Sequence, residues 1–322
     1  MDISCAFPPG PCAVEHTMLA EALGYRRAWI YDSPALYGDV WVTLARIAER
    51  TSRIDIGPGV LVPSLRHVLA QASAIATLAE LAPRRLVVAV GTGFTGRMAL
   101  GQRPLPWSSV ERYIRQLRGL LRGETIEIDG AAVRMLHPDG YAPPRPIDVP
   151  IIVAANGPKG LQVARQLGDG VMCVGSPQAG FSWCTLLALG TVLDDGETPD
   201  SPRALAAAGP GLAVAYHGIY EGGGAAVDNF PGGAAWRAAI EAVPARTRHL
   251  ALHELHLVGV TARDRPVLNG QMLASLTWTG SESDLRSRLC DAAAAGATEV
   301  MYAPMGPDVP RELRAFARMA GL

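Results

Sequence analysis

The chain has 322 residues, 49% of them hydrophobic and 18% charged, which is enough apolar material to bury a large core. A net charge of -1, without any basic run, argues against a nucleic-acid-binding protein. The five cysteines contain no C-x-x-C pair, the N-terminus lacks a charged leader, and no apolar stretch approaches the length of a membrane span. We therefore expect a cytoplasmic protein that binds neither nucleic acid nor membrane, with reduced cysteines and no metal site.

Strands and helices alternate through the first third of the chain. The apolar run Leu86 to Val90 has no polar alternation, which is typical of a strand buried on both faces of a parallel sheet. Four such units predict either a doubly wound sheet or a (β/α)8 barrel. The predicted strands are Ile3 to Phe7, Ala28 to Tyr31, Ile54 to Val60 and Leu86 to Val90; the helices between them are Cys12 to Leu23, Asp39 to Arg50 and Arg66 to Leu81.

The middle of the chain interrupts this alternation once. After a helix over Ser108 to Arg122, alternating apolar residues flank Asp129-Gly130, a two-residue turn that predicts a β-hairpin insertion. The alternation then resumes with strand Ile151 to Ala154, helix Lys159 to Leu167 and strand Gly170 to Val174.

The last third has weaker patterns. We predict one (β/α)8 TIM-barrel domain over residues 1–322, with a β-hairpin insertion and a glycine-rich lid-like loop; a boundary in the polar stretch Asp194 to Pro202 would leave too few strands for a second sheet. The glycine-rich stretch is equally consistent with a surface excursion. The expected elements are helix Phe181 to Leu193, strand Gly211 to Ala215, the glycine-rich loop Gly218 to Gly233, helices across Ala234 to Val258, strand Thr298 to Ala303 and helix Arg311 to Ala320.

The loops that follow the strands of a parallel barrel gather at one face, so residues just past strand ends are site candidates. The loop after Val90 reads GTGFTGR and combines glycines with the Thr92 hydroxyl and the Arg97 charge. Its glycine spacing matches a dinucleotide fingerprint, but that fingerprint requires a helix that opens at once and an acidic residue about 20 residues later at the end of a second strand, whereas here a Pro/Gly-containing loop, Leu100 to Pro106, intervenes.

A second candidate is an anion site. Asn156, Gly157, Pro158 and Lys159 open a helix with free backbone N–H groups beside an ammonium, and Gly175-Ser176 follows the next strand. The alternative is that Asn156 only caps this helix, with Pro158 at an early helical position.

Two kinds of residue could move protons. Asp32 could donate a proton or accept a hydrogen bond from a ring N–H, or it could be a turn or cap aspartate. His249, His253 and His256 have the i, i+4, i+7 spacing of one helical face, but the zinc motif H-E-x-x-H is absent. Either His253 or His256 could face the substrate as an acid or base; the alternative is that both are packed histidines.

Taken together, these stretches resemble the bacterial luciferase-like superfamily of flavin and deazaflavin oxidoreductases. The resemblance covers about Met1 to Ser176 and is loose beyond it. It is carried by Tyr31-Asp32-Ser33-Pro34 through Trp41, Gly57 to Val62, GTGFTGR with Leu100-Gly101-x-x-Pro104, Leu117 to Gly123, and ANGPKG with GDGV.

The resemblance implies a barrel that binds FMN or coenzyme F420, a deazaflavin, at the carboxyl ends of its strands. A bulge or non-prolyl cis peptide at Gly59, Val60 and Leu61 would back the ring. Thr92, Gly93 and Arg97, together with the helix that opens at Gly157, would hold the ribityl chain and phosphate. Where bacterial luciferases and some deazaflavin sugar-phosphate dehydrogenases carry a histidine motif, this chain has Asp32, which argues against those two activities.

Three functions follow as expectations. The first is hydride transfer between the deazaflavin and a small organic substrate. The second is an FMN-dependent monooxygenase that uses reduced flavin and oxygen. The third is a barrel that binds a small ligand without catalysis. The family also implies a homodimer, whose interface on the second and third helices would include Trp41.

Overall fold

The computed structural model describes all residues, 1–322. Its first part contains β1 (Asp2–Phe7), α1 (Ala13–Leu23), β2 (Arg27–Ile30), α2 (Val40–Arg50), β3 (Asp55–Pro58), α3 (Val68–Leu81), β4 (Val88–Val90), α4 (Phe94–Met98) and α5 (Trp107–Arg122). The hairpin β5 (Ile126–Ile128) and β6 (Ala131–Val133) precedes β7 (Ile151–Ala154), α6 (Pro158–Leu167), β8 (Gly170–Val174) and β9 (Cys184–Leu189). The last part contains α7 (Pro202–Gly223), a 3-10 helix (Gly224–Asn229), α8 (Gly233–Glu241), α9 (Arg248–Leu252), a second 3-10 helix (Arg265–Val267), α10 (Gly270–Leu276), α11 (Glu282–Ala294), β10 (Glu299–Ala303) and α12 (Val309–Ala320).

Eight parallel strands form the barrel. Their order is β3-β2-β1-β10-β9-β8-β7-β4, and parallel bridges between Ile56 and Leu86 and between Leu61 and Val90 join the two ends of this sheet. The β5–β6 pair forms its own antiparallel hairpin around Asp129-Gly130. The predicted (β/α)8 barrel and its hairpin insertion are therefore confirmed.

The strands bury both of their faces. On β4, Val88 and Val90 pack in the large cluster between strands and helices, whereas Ala89 lies in a smaller cluster inside the barrel. This alternation follows from the two-residue period of a strand. The interior cluster consists of Ala6, Trp29, Val87, Ala89, Ile152, Met172, Met301 and Ala303.

The seventh barrel strand lies where the sequence predicted a helix. Residues expected as helix Phe181 to Leu193 form β9, and the expected strand Gly211 to Ala215 lies inside the long helix α7. Both predictions were wrong because periodicity alone cannot separate a short buried strand from a helical segment. Pairing of β9 with both β8 and β10 decides its conformation.

The glycine-rich stretch Gly218 to Gly233 is also mostly helical. It continues α7 to Gly223 and then forms a 3-10 helix to Asn229, which leaves only a short connection before α8. The composition predicted a loop, but packing of α7 against this 3-10 helix and α10 overrides the low helix propensity of glycine. The lid-like loop is thus replaced by helical structure.

A buried ion pair closes the amino-terminal end of the barrel. Glu299 accepts hydrogen bonds from Arg27 and from the indole N–H groups of Trp29 (3.1 Å) and Trp183 (2.8 Å). The Arg27 guanidinium also lies 3.3 Å from Asp55. Both indoles and the Glu299 carboxylate are therefore satisfied within the protein, whereas the buried Arg27 Nε has no hydrogen-bond partner.

Glu299→Gln should lower the free energy of unfolding by about 1–3 kcal/mol, because the amide keeps the shape but removes a charge that Arg27 and two indoles require. Urea unfolding would measure the loss. Glu282→Gln is the matched control: this exposed carboxylate pairs with Arg286 and Arg318 at the surface, so a change within about 0.5 kcal/mol is expected. Equal losses in the two variants would contradict this account of the barrel floor.

Candidate active site

Most of the candidate site residues follow five strands that are neighbours in the barrel. The strands are β2, β3, β4, β7 and β8, and their carboxyl ends form one continuous arc of the barrel mouth. The residues on this arc are Asp32, then Gly59, Val60 and Leu61, then Thr92, Gly93 and Arg97, then Asn156, Gly157, Pro158 and Lys159, and finally Gly175 and Ser176.

The end of β3 is joined to the strands on either side of it. The peptide bond between Gly59 and Val60 is cis. The Gly59 N–H donates to Ile30 of β2 (2.8 Å), and the Leu61 carbonyl accepts from the Gly91 N–H beyond β4 (3.0 Å). Three adjacent strand ends are thus joined by backbone hydrogen bonds. We call the backbone from Gly59 to Leu61, together with Gly91 beside it, the shelf.

Two glycines allow the loop after β4 to lie against this shelf. A Cβ atom on Gly91 would lie 2.9 Å from a Val60 methyl group, and one on Gly93 would lie 2.5 Å from a Val62 methyl group. Gly93 also has a φ of +78°, which L side chains rarely adopt. These glycines bring backbone within reach of anything bound over Val60.

Arg97 links the loops after β3 and β4. Its Nε–H donates to the Arg103 carbonyl (2.7 Å) and its guanidinium donates to the Ser64 hydroxyl (2.5 Å). The side chain forms no ion pair, so its positive charge is not neutralised by the protein. The Thr92 carbonyl accepts from the Leu105 N–H, which fixes the loop around it.

Asn156 connects β7 to β8 rather than capping a helix. Its side-chain amide donates to the Val174 carbonyl (2.5 Å), and its carbonyl oxygen accepts from the Val174 N–H (3.1 Å). The N-cap of α6 is Gly157, which has no side chain, and Pro158 is the first helical residue. The capping alternative for Asn156 is therefore wrong, whereas the expected position of Pro158 is confirmed.

The amino terminus of α6 is open to a ligand. A Cβ atom on Gly157 or on Gly175 would meet no atom within 4 Å, so both glycines border empty space. Lys159 is exposed beside them, and no side chain caps the first-turn N–H groups of α6. Free N–H donors, a helix dipole and an ammonium fit a phosphate group, and the glycine shelf beside them fits a flat ring.

Asp32 lies at the end of β2 as a buried carboxylate. Arg66, from the loop after β3, donates to it at 2.6 Å and to Asp39 at 2.7 Å. Burial raises the pKa of Asp32 above its usual range, although Arg66 acts in the opposite direction. Asp39, not Asp32, caps α2, so Asp32 is an ion-pair partner rather than a cap aspartate.

The three histidines do not share one helical face. Helix α9 ends at Leu252, and the turn after it contains Leu255 and Leu257 with positive φ. His253 and His256 turn inward and are 2% and 6% exposed, with their Nδ1 atoms 3.4 Å apart. The expected i, i+4, i+7 arrangement is wrong because the helix is too short to carry it.

Carboxylates contact the two ends of a buried histidine cluster, which consists of His217, His253 and His256. His253 Nε2 lies 2.9 Å from Glu221, and His217 Nε2 lies 3.1 Å from Asp264. Burial alone would raise the pKa of Asp264, but hydrogen bonds from His217, Trp236 and Thr261 lower it to about 2. No group of three or more potential metal-binding side chains is arranged around a common point.

The segment from His249 to His256 contacts the loops that follow β2 and β4. At one end, a Cβ atom on Gly101, beyond β4, would lie 3.0 Å from the His249 ring. At the other end, Tyr37, beyond β2, donates its hydroxyl to the His256 carbonyl at 2.5 Å. Because β2 and β4 flank β3 in the barrel, the histidine segment joins the loops on either side of the Gly59–Leu61 shelf.

His256 should make the protein less stable in acid. Burial lowers the pKa of His256 to about 3, and the charges of His253 and His217 add to this effect. The unfolded chain binds a proton at this ring below its ordinary pKa of 6.5. Because the folded state lacks that proton, stability falls as pH drops from 6.5 towards 3, by up to about 1.4 kcal/mol per pH unit.

His256→Gln is therefore expected to flatten the pH dependence of unfolding across that window, whatever it does to stability at pH 7. Denaturant unfolding at several pH values would measure the slope. His137→Gln, at an exposed histidine, is the control and should keep the wild-type slope. An unchanged slope in His256→Gln would show that the ring is protonated in the folded state.

Several residues of this region were not singled out as site residues from the sequence. Arg66 and Tyr37 lie in loops whose partners are distant in the chain. His217 and Glu221 are four residues apart on α7, a spacing that places them on one helical face. That signal was hidden because the sequence predicted a strand and a glycine-rich loop there.

A family model for luciferase-like monooxygenases matches residues 10–187, which is more than half of the chain and includes the whole arc. The chain belongs to the luciferase-like monooxygenase family. This confirms the resemblance inferred from the motifs, whose range ends within the matched residues. The match leaves out α7 to α9, where the histidine cluster lies.

Two curated relatives each match about half of the chain. A 5,10-methylenetetrahydromethanopterin reductase of Methanolobus tindarius is 33% identical over 168 residues, covering 49% of this chain and 48% of the relative. An F420-dependent glucose-6-phosphate dehydrogenase of Beutenbergia cavernae is 34% identical over 179 residues, covering 49% of this chain and 51% of the relative. The chain thus spans about half the length of the curated relatives it matches.

Solved structures extend the likeness of fold to the full length. The coenzyme F420 dependent tetrahydromethanopterin reductase from Methanopyrus kandleri superposes with a TM-score of 0.69 at 18% identity, covering 99% of this chain and 97% of that one. An F420-dependent secondary alcohol dehydrogenase gives a TM-score of 0.66 at 16% identity over the same shares. These similarities show the barrel fold, including the segments after Ser176.

No helix of the chain combines the length and the apolar character needed to cross a bilayer.

Proposed function

We propose that this chain is an oxidoreductase that transfers a hydride between coenzyme F420 and a small organic substrate. The observation that carries the proposal is the arc itself, in which a glycine shelf over β3 and β4 lies beside an open helix amino terminus at Gly157. A relative 34% identical over 179 residues is named as an F420-dependent dehydrogenase, which supports a deazaflavin over FMN.

Each part of the arc has a role in binding the cofactor. Gly59, Val60 and Leu61 would support one face of the ring, and Thr92, Gly93 and Arg97 would contact its polar side chain. The phosphate would bind at the amino terminus of α6, where Asn156, Gly157, Pro158 and Lys159 meet Gly175 and Ser176. When bound, the deazaflavin accepts or donates two electrons as a hydride; the protein binds, orients and excludes water.

Proton transfer needs a side chain close to the ring. Asp32, His253 and His256 are the candidates from the sequence, and all three are buried. Asp32 accepts from Arg66 at 2.6 Å, an ion pair that partly offsets the rise in its pKa caused by burial and suits it to positioning Arg66 or accepting a ring N–H. The histidines are better placed for proton exchange, as argued below.

The two other functions, an FMN-dependent monooxygenase and a non-catalytic barrel, predict a different cofactor or a different phosphate site. A monooxygenase would prefer reduced FMN and consume oxygen, and one solved neighbour, a type II Baeyer-Villiger monooxygenase, is complexed with FMN at a TM-score of 0.61 and 11% identity. A non-catalytic barrel would fill its phosphate site with side chains, whereas Gly157 and Gly175 border empty space. The open site therefore favours a cofactor-binding enzyme.

Turnover distinguishes hydride transfer from oxygen chemistry. The purified chain would be mixed anaerobically with oxidised F420 and a panel of alcohols and sugar phosphates, and with reduced F420 and a panel of iminium compounds, enones and ketones, following cofactor absorbance. A change in the cofactor band that requires both protein and one substrate class is the expected result. Oxygen uptake with reduced FMN, together with no reaction of F420 with any panel, would replace this proposal by the monooxygenase.

A homodimer in the cytoplasm is part of the same proposal. Val42 on α2 is 63% exposed, and the nearby Trp41 indole is held by Gln71 of α3 at 2.6 Å, which gives α2 and α3 a surface suited to a second copy. Light scattering is expected to give twice the monomer mass of 34.0 kDa, and Val42→Glu is expected to shift the mass towards the monomer. A monomeric wild-type chain would contradict this part.

A further inference from the structure

We propose that His256 exchanges the proton that accompanies hydride transfer, and that His253 and Glu221 form a relay behind it. This inference rests on the proposed function, because the proton is needed only where a hydride is transferred. It concerns α7 and the turn after α9, which lie outside the residues that the family model matches.

The position of His256 is the first support. Its carbonyl is held by Tyr37, whose ring lies 6.1 Å from the ring of Tyr31, and Tyr31 packs against the interior barrel cluster. Together with the contact between His249 and Gly101, this places the histidine segment at the barrel mouth, against the loops on either side of the shelf where the cofactor ring would lie. His256 is therefore the cluster member whose backbone is fixed to the loop after β2.

The hydrogen bonds define which nitrogen is free. Glu221 is a carboxylate 2.9 Å from His253 Nε2, so that nitrogen carries a hydrogen and His253 Nδ1 accepts. The donor to His253 Nδ1 is then His256 Nδ1–H, at 3.4 Å. His256 Nε2 remains unprotonated; it has no hydrogen-bond partner and is not among the fully buried orphan atoms, so it reaches accessible space.

Groups on every side keep His256 neutral. His217 from α7 lies 6.2 Å away between ring centroids and His253 lies 5.2 Å away, and both would repel a positive charge. Asp264 is paired with His217 and Trp236, and Glu221 with His253, so neither carboxylate contacts His256. Tyr37 contacts only its backbone. A proton that arrives at Nε2 is therefore favoured to move on rather than stay.

In the relay, a proton passes from His256 to His253. As a proton binds at His256 Nε2, the hydrogen on His256 Nδ1 passes to His253 Nδ1. His256 stays neutral, and the positive charge rests on His253 beside Glu221. Oxidation of an alcohol then balances: the C–H hydrogen leaves with both electrons as hydride to the cofactor, the O–H proton goes to His256 Nε2, and a carbonyl is formed. The relay thus suits a substrate of the alcohol and carbonyl class.

Histidine NMR tests the relay directly. The full chain, labelled with 15N-histidine, would be titrated from pH 8 to 5, with and without saturating F420. We expect His256 with Nδ1 protonated and Nε2 bare, a shift of its Nε2 signal on F420 binding, and a changed His253 Nε2 signal in Glu221→Gln. Glu241→Gln, at a carboxylate paired with Arg237 on the surface of α8, is the control and should change neither signal.

The outcomes separate this inference from the proposed function. Bound F420 with an unmoved His256 signal, or a His256 protonated at Nε2, would overturn the relay and leave the proposed function intact. Failure to bind F420 at all would overturn both. With an active alcohol, Glu221→Gln should reduce kcat about tenfold and change its pH profile while the KM for F420 is unchanged, which a merely structural role would not produce.

Discussion

Replacing Gly57 with alanine is expected to prevent the barrel from closing. Gly57 lies on β3, where a Cβ atom would be 1.7 Å from the Val87 carbonyl oxygen and 2.8 Å from its carbonyl carbon. These are backbone atoms, so no side-chain rotation can relieve the overlap, and β3 and β4 would have to separate. We expect a loss of more than about 4 kcal/mol in the free energy of unfolding.

Thermal unfolding and the soluble yield would measure the effect of Gly57→Ala. Gly218→Ala is the matched control: this glycine lies within α7, where a Cβ atom meets nothing within 4 Å, and alanine should stabilise the helix by about 0.5–1 kcal/mol. The two substitutions are chemically identical and have opposite expected signs. A well-folded Gly57→Ala variant with unchanged melting temperature would mean that β3 and β4 are not joined as described.

Gly157→Asp is expected to abolish F420 binding without damaging the fold. Aspartate is a preferred N-cap residue and its charge favours the amino terminus of α6, so the variant should be at least as stable as the wild type. The same carboxylate would occupy and repel the position proposed for the phosphate. We expect a loss of at least about 100-fold in F420 affinity, equivalent to about 2.7 kcal/mol.

Gly157→Ala separates charge from the loss of glycine. It adds a methyl group where a Cβ meets no atom within 4 Å, so affinity should fall by less than about fivefold, although the helix loses some N-cap preference. Fluorescence titration of all three proteins gives the affinities, and thermal unfolding gives the stabilities. Equal affinity of wild type and Gly157→Asp would place the phosphate elsewhere.

The sequence predicted the secondary structure well where short-range signals specify it. The βα alternation up to Val174 was predicted closely, and strand Ile151–Ala154 and strand Gly170–Val174 have the predicted bounds. The Asp129-Gly130 turn gave the hairpin. These segments are specified by short-range signals: apolar runs, turn residues and helix caps. The loops of the arc could then be located because parallel strands bring their carboxyl ends together.

The region after Ser176 could not be predicted in the same way. The leucine-rich strand CTLLAL and the helix α7, in which Gly209 and Gly211 flank Pro210, carry local preferences that oppose their structures. Pairing with β8 and β10 decides that CTLLAL is a strand, and packing against α10 and the first 3-10 helix decides that α7 is a helix. The contact between His253 and Glu221 requires α7 to be helical. It could not be predicted, because the sequence predicted a strand and a loop for that segment.

The most direct test of the account is the equilibrium affinity of the wild-type chain for F420 and, separately, for FMN, read from tryptophan quenching and from the fluorescence of each cofactor. We predict that F420 binds at micromolar concentration or more tightly, with FMN clearly weaker. Preference for FMN, or binding of neither cofactor at micromolar concentration, would contradict the assignment of the arc as a deazaflavin site.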